Sequence, residues 1–210
     1  MISTMNSTGK LTMLVWRTAG PGLVWHLRNR LRWGYLWGWF VVHLAWLFSK
    51  LTGVVTITSQ LAIRIRRASG EWIDYGVVGY RVITDTGVAF LVDCWQGALE
   101  PEIMKYHGCG TGGAAEAVGN TALTTECTTA LNPDSTRATG TLAEGASANI
   151  FSTVGTLTFD ASAAVTEHGL FSQAATGGGT LWDRTLFTVV NVASGDQIQF
   201  TYQATLTSGG

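Results

Sequence analysis

The sequence predicts a mainly β protein: an antiparallel β-sandwich, of jelly-roll or Greek-key type, behind a helical, tryptophan-rich N-terminal arm. Three observations carry this. Gln197 to Leu206 alternates without a break, with Ile198, Phe200, Tyr202, Ala204 and Leu206 on one face and polar residues on the other. Val55 to Arg66 alternates as well, with Val55, Ile57, Leu61, Ile63 and Ile65 facing one way. Between them lie short apolar runs separated by Gly, Asn, Asp and Ser turns, the pattern of a many-stranded sandwich. At 210 residues, one β domain and an arm fit better than two full domains. The expected division is residues 1–50 for the arm and 51–210 for the body.

Charge divides the chain too. The first acidic residue is Glu71; nine basic residues and six of the nine tryptophans precede it. From Glu71 onward 14 acidic residues face four basic ones, so a net charge of −1 conceals a basic aromatic segment joined to an acidic body rich in small residues. A basic, Trp-rich arm calls for an anionic or apolar partner, and an acidic body favours solubility. The split points to an anchored structural module rather than an enzyme.

In the arm, residues 1–9 read as an unstructured start, with Met1, Met5 and Met13 all possible initiators. Gly20-Pro21-Gly22 breaks the chain, and Leu23 to Phe48 reads as one helix kinked at Gly34 and Gly38. Trp33 to Ser49 contains no formal charge, with Arg28, Arg30 and Arg32 before it and Lys50 after it. Its length approaches that of a membrane span. Trp37, Trp39 and Trp46 are spread along it rather than gathered at the ends where a bilayer interface would place them. Three readings remain: a spanning helix, an interfacial helix, and a helix covered by a protein partner, the last being expected. No small-x-small cleavage site follows Phe48, so a signal peptide fits poorly. The partner-binding residues expected are Arg17, Trp25, Arg28, Arg30, Arg32, Trp33, Trp37, Trp39 and Trp46. The sandwich core, starting at Val54, is expected to fold without residues 1–50.

In the body, Ala68-Ser69-Gly70 turns the first strand into a second, Trp72 to Ile83. Val88, Leu91, Val92 and Trp95 then fall at helical spacing, with Thr84 or Asp85 as the cap and Gly97 as the stop. Strands are predicted near Met104–Gly108, Arg137–Glu144, Ile150–Phe159, Ala164–Ser172, Leu181–Asn191 and Gln197–Leu206, with a helical turn within Asn120–Cys127. Ala193-Ser194-Gly195-Asp196 supplies the final hairpin turn.

Candidate chemistry is sparse. Gly108 to Gly113 is glycine-dense but lacks the Lys-Ser/Thr ending of a phosphate loop. His107, Cys109 and Cys127 offer three zinc ligands with no evident fourth and no paired Cys-x-x-Cys, so no metal and no cofactor is expected. Three cysteines cannot close a disulfide framework and read as reduced thiols of a cytoplasmic product. Glu167 and His168 project to opposite faces of a strand and cannot act as an acid–base pair. Arg184, within an apolar strand, needs a buried carboxylate, and Glu167 or Asp183 is expected to provide it. No nucleophile elbow occurs. The arm mixes Arg and Trp, but too few arginines and too apolar a run argue against nucleic acid.

From Lys105 onward the chain resembles a family of tailed-bacteriophage virion proteins. Lys105-Tyr106-His107-Gly108, Gly110-Thr111-Gly112, Asn120 to Glu126, Arg137-Ala138-Thr139-Gly140, Thr166 to Phe171, Gly179 to Thr185 and Gly195 to Tyr202 carry the likeness, block by block in order. It covers about half the chain and leaves the arm outside. It implies a β-sandwich building block of the particle, made in the host cytoplasm. A capsid-decoration (cement) role is expected ahead of a tail or fibre role that binds a receptor or carbohydrate; a membrane-attached protein is the third reading. The expected partners are a major capsid or tail protein and further copies of the chain, by analogy a trimer.

Overall fold

The computed structural model describes residues 2–5, 11–14, 21–80, 82–96 and 104–208. Where the sequence suggests an unstructured start, β1 (Ile2–Met5) pairs antiparallel with β2 (Leu11–Leu14). Arg17 and Gly97 lie outside the described residues.

The body consists of two five-stranded antiparallel sheets packed on each other. One has β4 (Trp72–Tyr80), β3 (Thr56–Arg66), β12 (Gln197–Thr207), β9 (Ile150–Thr158) and β8 (Thr141–Glu144) in that spatial order. The other has β5 (Val82–Ile83), β11 (Leu181–Val192), β10 (Ala163–Phe171), β6 (Tyr106–Gly110) and β7 (Ala138–Thr139). The predicted Arg137–Glu144 strand is thus two, one in each sheet.

The alternation of β12 and β3 builds the core. Ile198, Phe200, Tyr202 and Ala204 are buried from β12, and Leu61, Ile63 and Ile65 from β3. Ser59 falls in the same inward phase and is buried as well. The two ends of the pattern fail: Val55 precedes the strand and is exposed, and Leu206, near the end of β12, is exposed at an apolar cleft. The turn before β12 forms as predicted; Gly195 takes φ +86° and the buried Asp196 accepts from the backbone of Ala68 and Ala193.

α3 (Asp85–Gln96) is capped by Thr84, whose Oγ accepts from Gly87 N–H at 3.1 Å. Of its predicted apolar stripe only Leu91 packs against the core. Val88, Val92 and Trp95 are exposed, and Gly87 and Phe90 face the body. Gly87 allows the helix to approach the Trp182 backbone, which rotates the contact face away from the larger residues. Asn120–Cys127 forms no helix; it runs irregularly over β10 and β11, for reasons evident below.

The arm is two helices, α1 (Leu23–Arg30) and α2 (Trp33–Thr52). The break falls at Leu31–Arg32, not at Gly34 or Gly38. Gly38 marks close packing: a Cβ there would collide with the Tyr80 carbonyl. Gly53, at φ +74°, closes α2 in the left-handed conformation. The arm packs on the body, α1 against β11 and β4 and α2 against β4 and β3. Trp25 packs edge-to-face on Tyr75 at 4.6 Å and donates to Val189 O, and the buried Asn29 bridges Val78 O and Thr188 N–H across the two sheets. Sandwich backbone groups thus find partners in α1, contacts that the expectation of a core folding without residues 1–50 did not include.

Candidate functional site

Two places stand out, an interior polar centre and the outward face of α2. The interior centre follows from strand alternation. On β11, Asp183 and Arg184 must project to opposite sides, as must Glu167 and His168 on β10. Glu167 and Arg184 share the outer side and sit diagonally across the pair, since Gly169 is the residue opposite Arg184.

Their pairing is bidentate on one oxygen: Arg184 Nε and Nη2 donate to Glu167 Oε2 at 2.9 and 2.7 Å. The segment at 112–126 closes over them. Gly112, Thr124 and Thr125 N–H donate to the Glu167 carboxylate. Ala114 O, Ala115 O, Asn120 Oδ1 and Thr124 Oγ accept from Arg184. This explains the absence of a helical turn there: the backbone is committed to two charges. A second pair, buried Arg137 with half-buried Glu126 at 2.6 Å, anchors the far end of the same segment, with Arg137 also stacked 3.4 Å from the Phe171 ring. Sequence reasoning missed this pair, although an arginine among small and apolar residues was a signal of the Arg184 kind.

Asp183 projects into the sandwich, where it accepts from Ser59 Oγ at 2.6 Å and from Thr185 Oγ; it is not the partner of Arg184. His168 also points inward, its Nε2 3.0 Å from His107 Nδ1, with Thr153 Oγ 3.2 Å from His107 Nε2. Burial lowers the His107 pKa to about 3, and burial followed by the neighbouring His107 pushes His168 well below its ordinary value. Both rings are therefore neutral. No group of three or more ligating side chains gathers among the described residues, so His107, Cys109 and Cys127 do not converge. With Glu167 and Arg184 both at 1 % exposure or less, no substrate reaches this centre; it is a staple.

The second place is α2, which packs against β3 and β4. Its partly or fully buried positions are Gly34, Tyr35, Gly38, Val42, Ala45 and Ser49, mostly small residues at helical spacing. Small residues allow the helix to settle close to the sheet, and Ser49 Oγ bonds Val54 O at 2.6 Å. The large residues point away. Trp33, Trp37, Trp39 and Trp46 are 46–79 % exposed, and Leu36, Phe40, Leu44, Leu47, Phe48 and Leu51 join them. Together they present on the order of 1,000 Å² of apolar surface, above the few hundred typical of a monomer's largest patch. Arg28 and Arg30 are exposed beyond one end and Lys50 at the other. Arg32 instead turns onto the body, donating to Leu186 O at 2.7 Å. Of the expected partner-binding residues, Trp25 and Arg32 therefore serve the fold, and the remainder of those described face outward.

A third feature is an apolar cleft of about 580 Å³ lined by Phe90, Leu91, Trp95, Phe151, Trp182 and Leu206. Comparison with protein-family models, with curated proteins and with solved structures finds no match to this chain.

Proposed function

We propose that the chain is a non-enzymatic structural protein of a tailed-phage particle, a capsid-decoration block that attaches through the outward face of α2. The observation that carries this is the inverted helix: small residues face the protein's own sheet, and tryptophan, phenylalanine and leucine face outward. Water is the wrong medium for such a face, so another apolar surface completes it. The cations at both ends and the absence of acid before Glu71 favour a partner protein whose apolar groove has an acidic rim. A second copy would bring the same cations together, so oligomer contacts belong elsewhere on the body.

The block-wise likeness from Lys105 onward supports the virion assignment, and the sealed ion pairs support a rigid block without chemistry. Return of β12 between β3 and β9 supports a Greek-key type of sandwich. One observation favours the tail-tip alternative: Trp95 is 76 % exposed at the mouth of the apolar cleft, as a receptor- or carbohydrate-binding aromatic would be. For the membrane alternative, no helix among the described residues is long and apolar enough to cross a bilayer.

The test is a triple variant, Trp33→Ser, Trp37→Ser and Phe40→Ser, in the full chain. Exposed side chains contribute little to folding, so its melting temperature stays within a few degrees of wild type. It should lose co-sedimentation with particles assembled without the native protein. Undiminished incorporation would refute the docking role, and flotation of wild type with anionic vesicles would move the face to a membrane.

A further inference from the structure

The two core cysteines are placed by the same segment that covers the Glu167–Arg184 centre. Gly110 and Glu126 form an antiparallel bridge, so Cys109 and Cys127 are directly opposite at the next position of the ladder. Cys127 N–H donates to Cys109 O at 2.8 Å, and Thr111 N–H to Thr125 O at 2.9 Å, which confirms that register. A hydrogen-bonded antiparallel pair holds its Cα atoms about 5.5 Å apart. Disulfides span roughly 4.4–6.8 Å between Cα atoms. Both side chains enter the same core cluster, so they lie on one side of the ladder.

We propose that Cys109 and Cys127 are an oxidation site that closes an intrachain disulfide when the folded protein meets a small-molecule disulfide. The chemistry is two exchanges. The Cys127 thiolate attacks one sulfur of the oxidant, its S–S bond breaks and one thiolate leaves, taking up a proton as it goes. The Cys109 thiol then gives up its proton and attacks Cys127 Sγ in the mixed disulfide, and the second small thiol departs. Two protein thiols are oxidised and one disulfide is reduced to two thiols. Cys127, at 8 % exposure, is the accessible partner, and Cys109 is fully buried. The neighbouring Cys127 thiol, with burial adding to it, raises the Cys109 pKa, and the Cys109 thiol lowers that of Cys127, which suits these roles.

The bond has a consequence for the fold. It encloses residues 110–126, whose backbone and side chains hold Glu167, Arg184 and Arg137. Closing this ring restricts the unfolded chain and ties the cover to β6. A protein folded in a reducing cytoplasm keeps both thiols and closes the bond only in an oxidising medium. The site is remote from α2 and does not depend on the docking proposal.

The full chain is equilibrated with oxidised glutathione, denatured, and its free thiols are counted. The expected result is a fall from three thiols to one, with Cys94 the survivor. Proteolysis after Lys105, Glu116 and Arg137 should give two peptides joined by a reducible bond. The melting temperature should rise by roughly 5–10 °C and return with reductant. Cys94→Ser should behave in the same way, and Cys127→Ala should form no bond. Three remaining thiols, a bond that includes Cys94, a glutathione adduct without ring closure, or a bond with unchanged melting would each overturn the proposal.

Discussion

Replacing Arg184 by methionine keeps a long side chain in place but removes the only cation paired with Glu167 among the described residues. The carboxylate would keep its three backbone donors, Gly112, Thr124 and Thr125, with no counter-ion at an exposure of 0 %. Breaking a buried pair by removing one partner costs about 3–5 kcal/mol. Arg184 also supplies donors to Ala114 O, Ala115 O, Asn120 Oδ1 and Thr124 Oγ. These lie under a loop that water can enter once it loosens, so they add less than the full cost of about 1–3 kcal/mol per orphaned group. A loss of about 3–5 kcal/mol is expected, or a fall in melting temperature of roughly 10–15 °C for a chain of this size. The assay is urea unfolding of Arg184→Met, Glu167→Gln and the double variant. If the two groups act as a pair, the double variant costs about 1–3 kcal/mol less than the sum of the singles. Strict additivity, or a single variant of wild-type stability, would refute the staple and leave Arg184 without a structural role.

The neutral histidine pair predicts acid sensitivity. An unfolded histidine binds a proton below about pH 6.5, whereas folded His107 does so only near pH 3, so its stability contribution is complete above pH 6.5 and is lost as pH falls towards 3. Each ring adds a slope of up to about 1.4 kcal/mol per pH unit, visible between pH 6.5 and 5 before most carboxylates titrate; urea midpoints that do not move over this range would contradict it. Asn29→Ala should destabilise the body by about 2–3 kcal/mol, because Val78 O and Thr188 N–H lose their partner. Equilibrium unfolding at wild-type stability would show that the arm merely rests on the sandwich. Gly38→Leu should lift α2 from Tyr80 and cost about 1–3 kcal/mol, detectable as faster proteolysis within residues 21–53; wild-type protection would exclude that packing.

Much of the architecture was legible because period-2 alternation is a local property. β3 and β12 could be read from their residues, and they pair along eleven positions from Gln197 opposite Arg66 to Thr207 opposite Thr56. The need for a carboxylate beside Arg184 was also legible, since an apolar strand cannot bury a guanidinium alone. The choice of Glu167 over Asp183 required only that neighbouring residues on a strand face opposite ways. Of the α3 stripe only Leu91 meets the core, because helical spacing shows that a face is apolar, not which of its residues find a neighbour; a glycine at the contact point decided that. The same holds for the arm. Composition determined that it would be aromatic and basic, and its spacing that it would be helical from Leu23 onward. Only the tertiary structure decided that its small residues would meet the sheet, because close approach to the Tyr80 backbone leaves no room for a tryptophan on that side. The Glu126–Arg137 pair and the opposition of Cys109 and Cys127 likewise depend on where a loop of many residues crosses two strands. Long-range register of this kind is set by the whole sandwich and leaves no periodic trace in the chain.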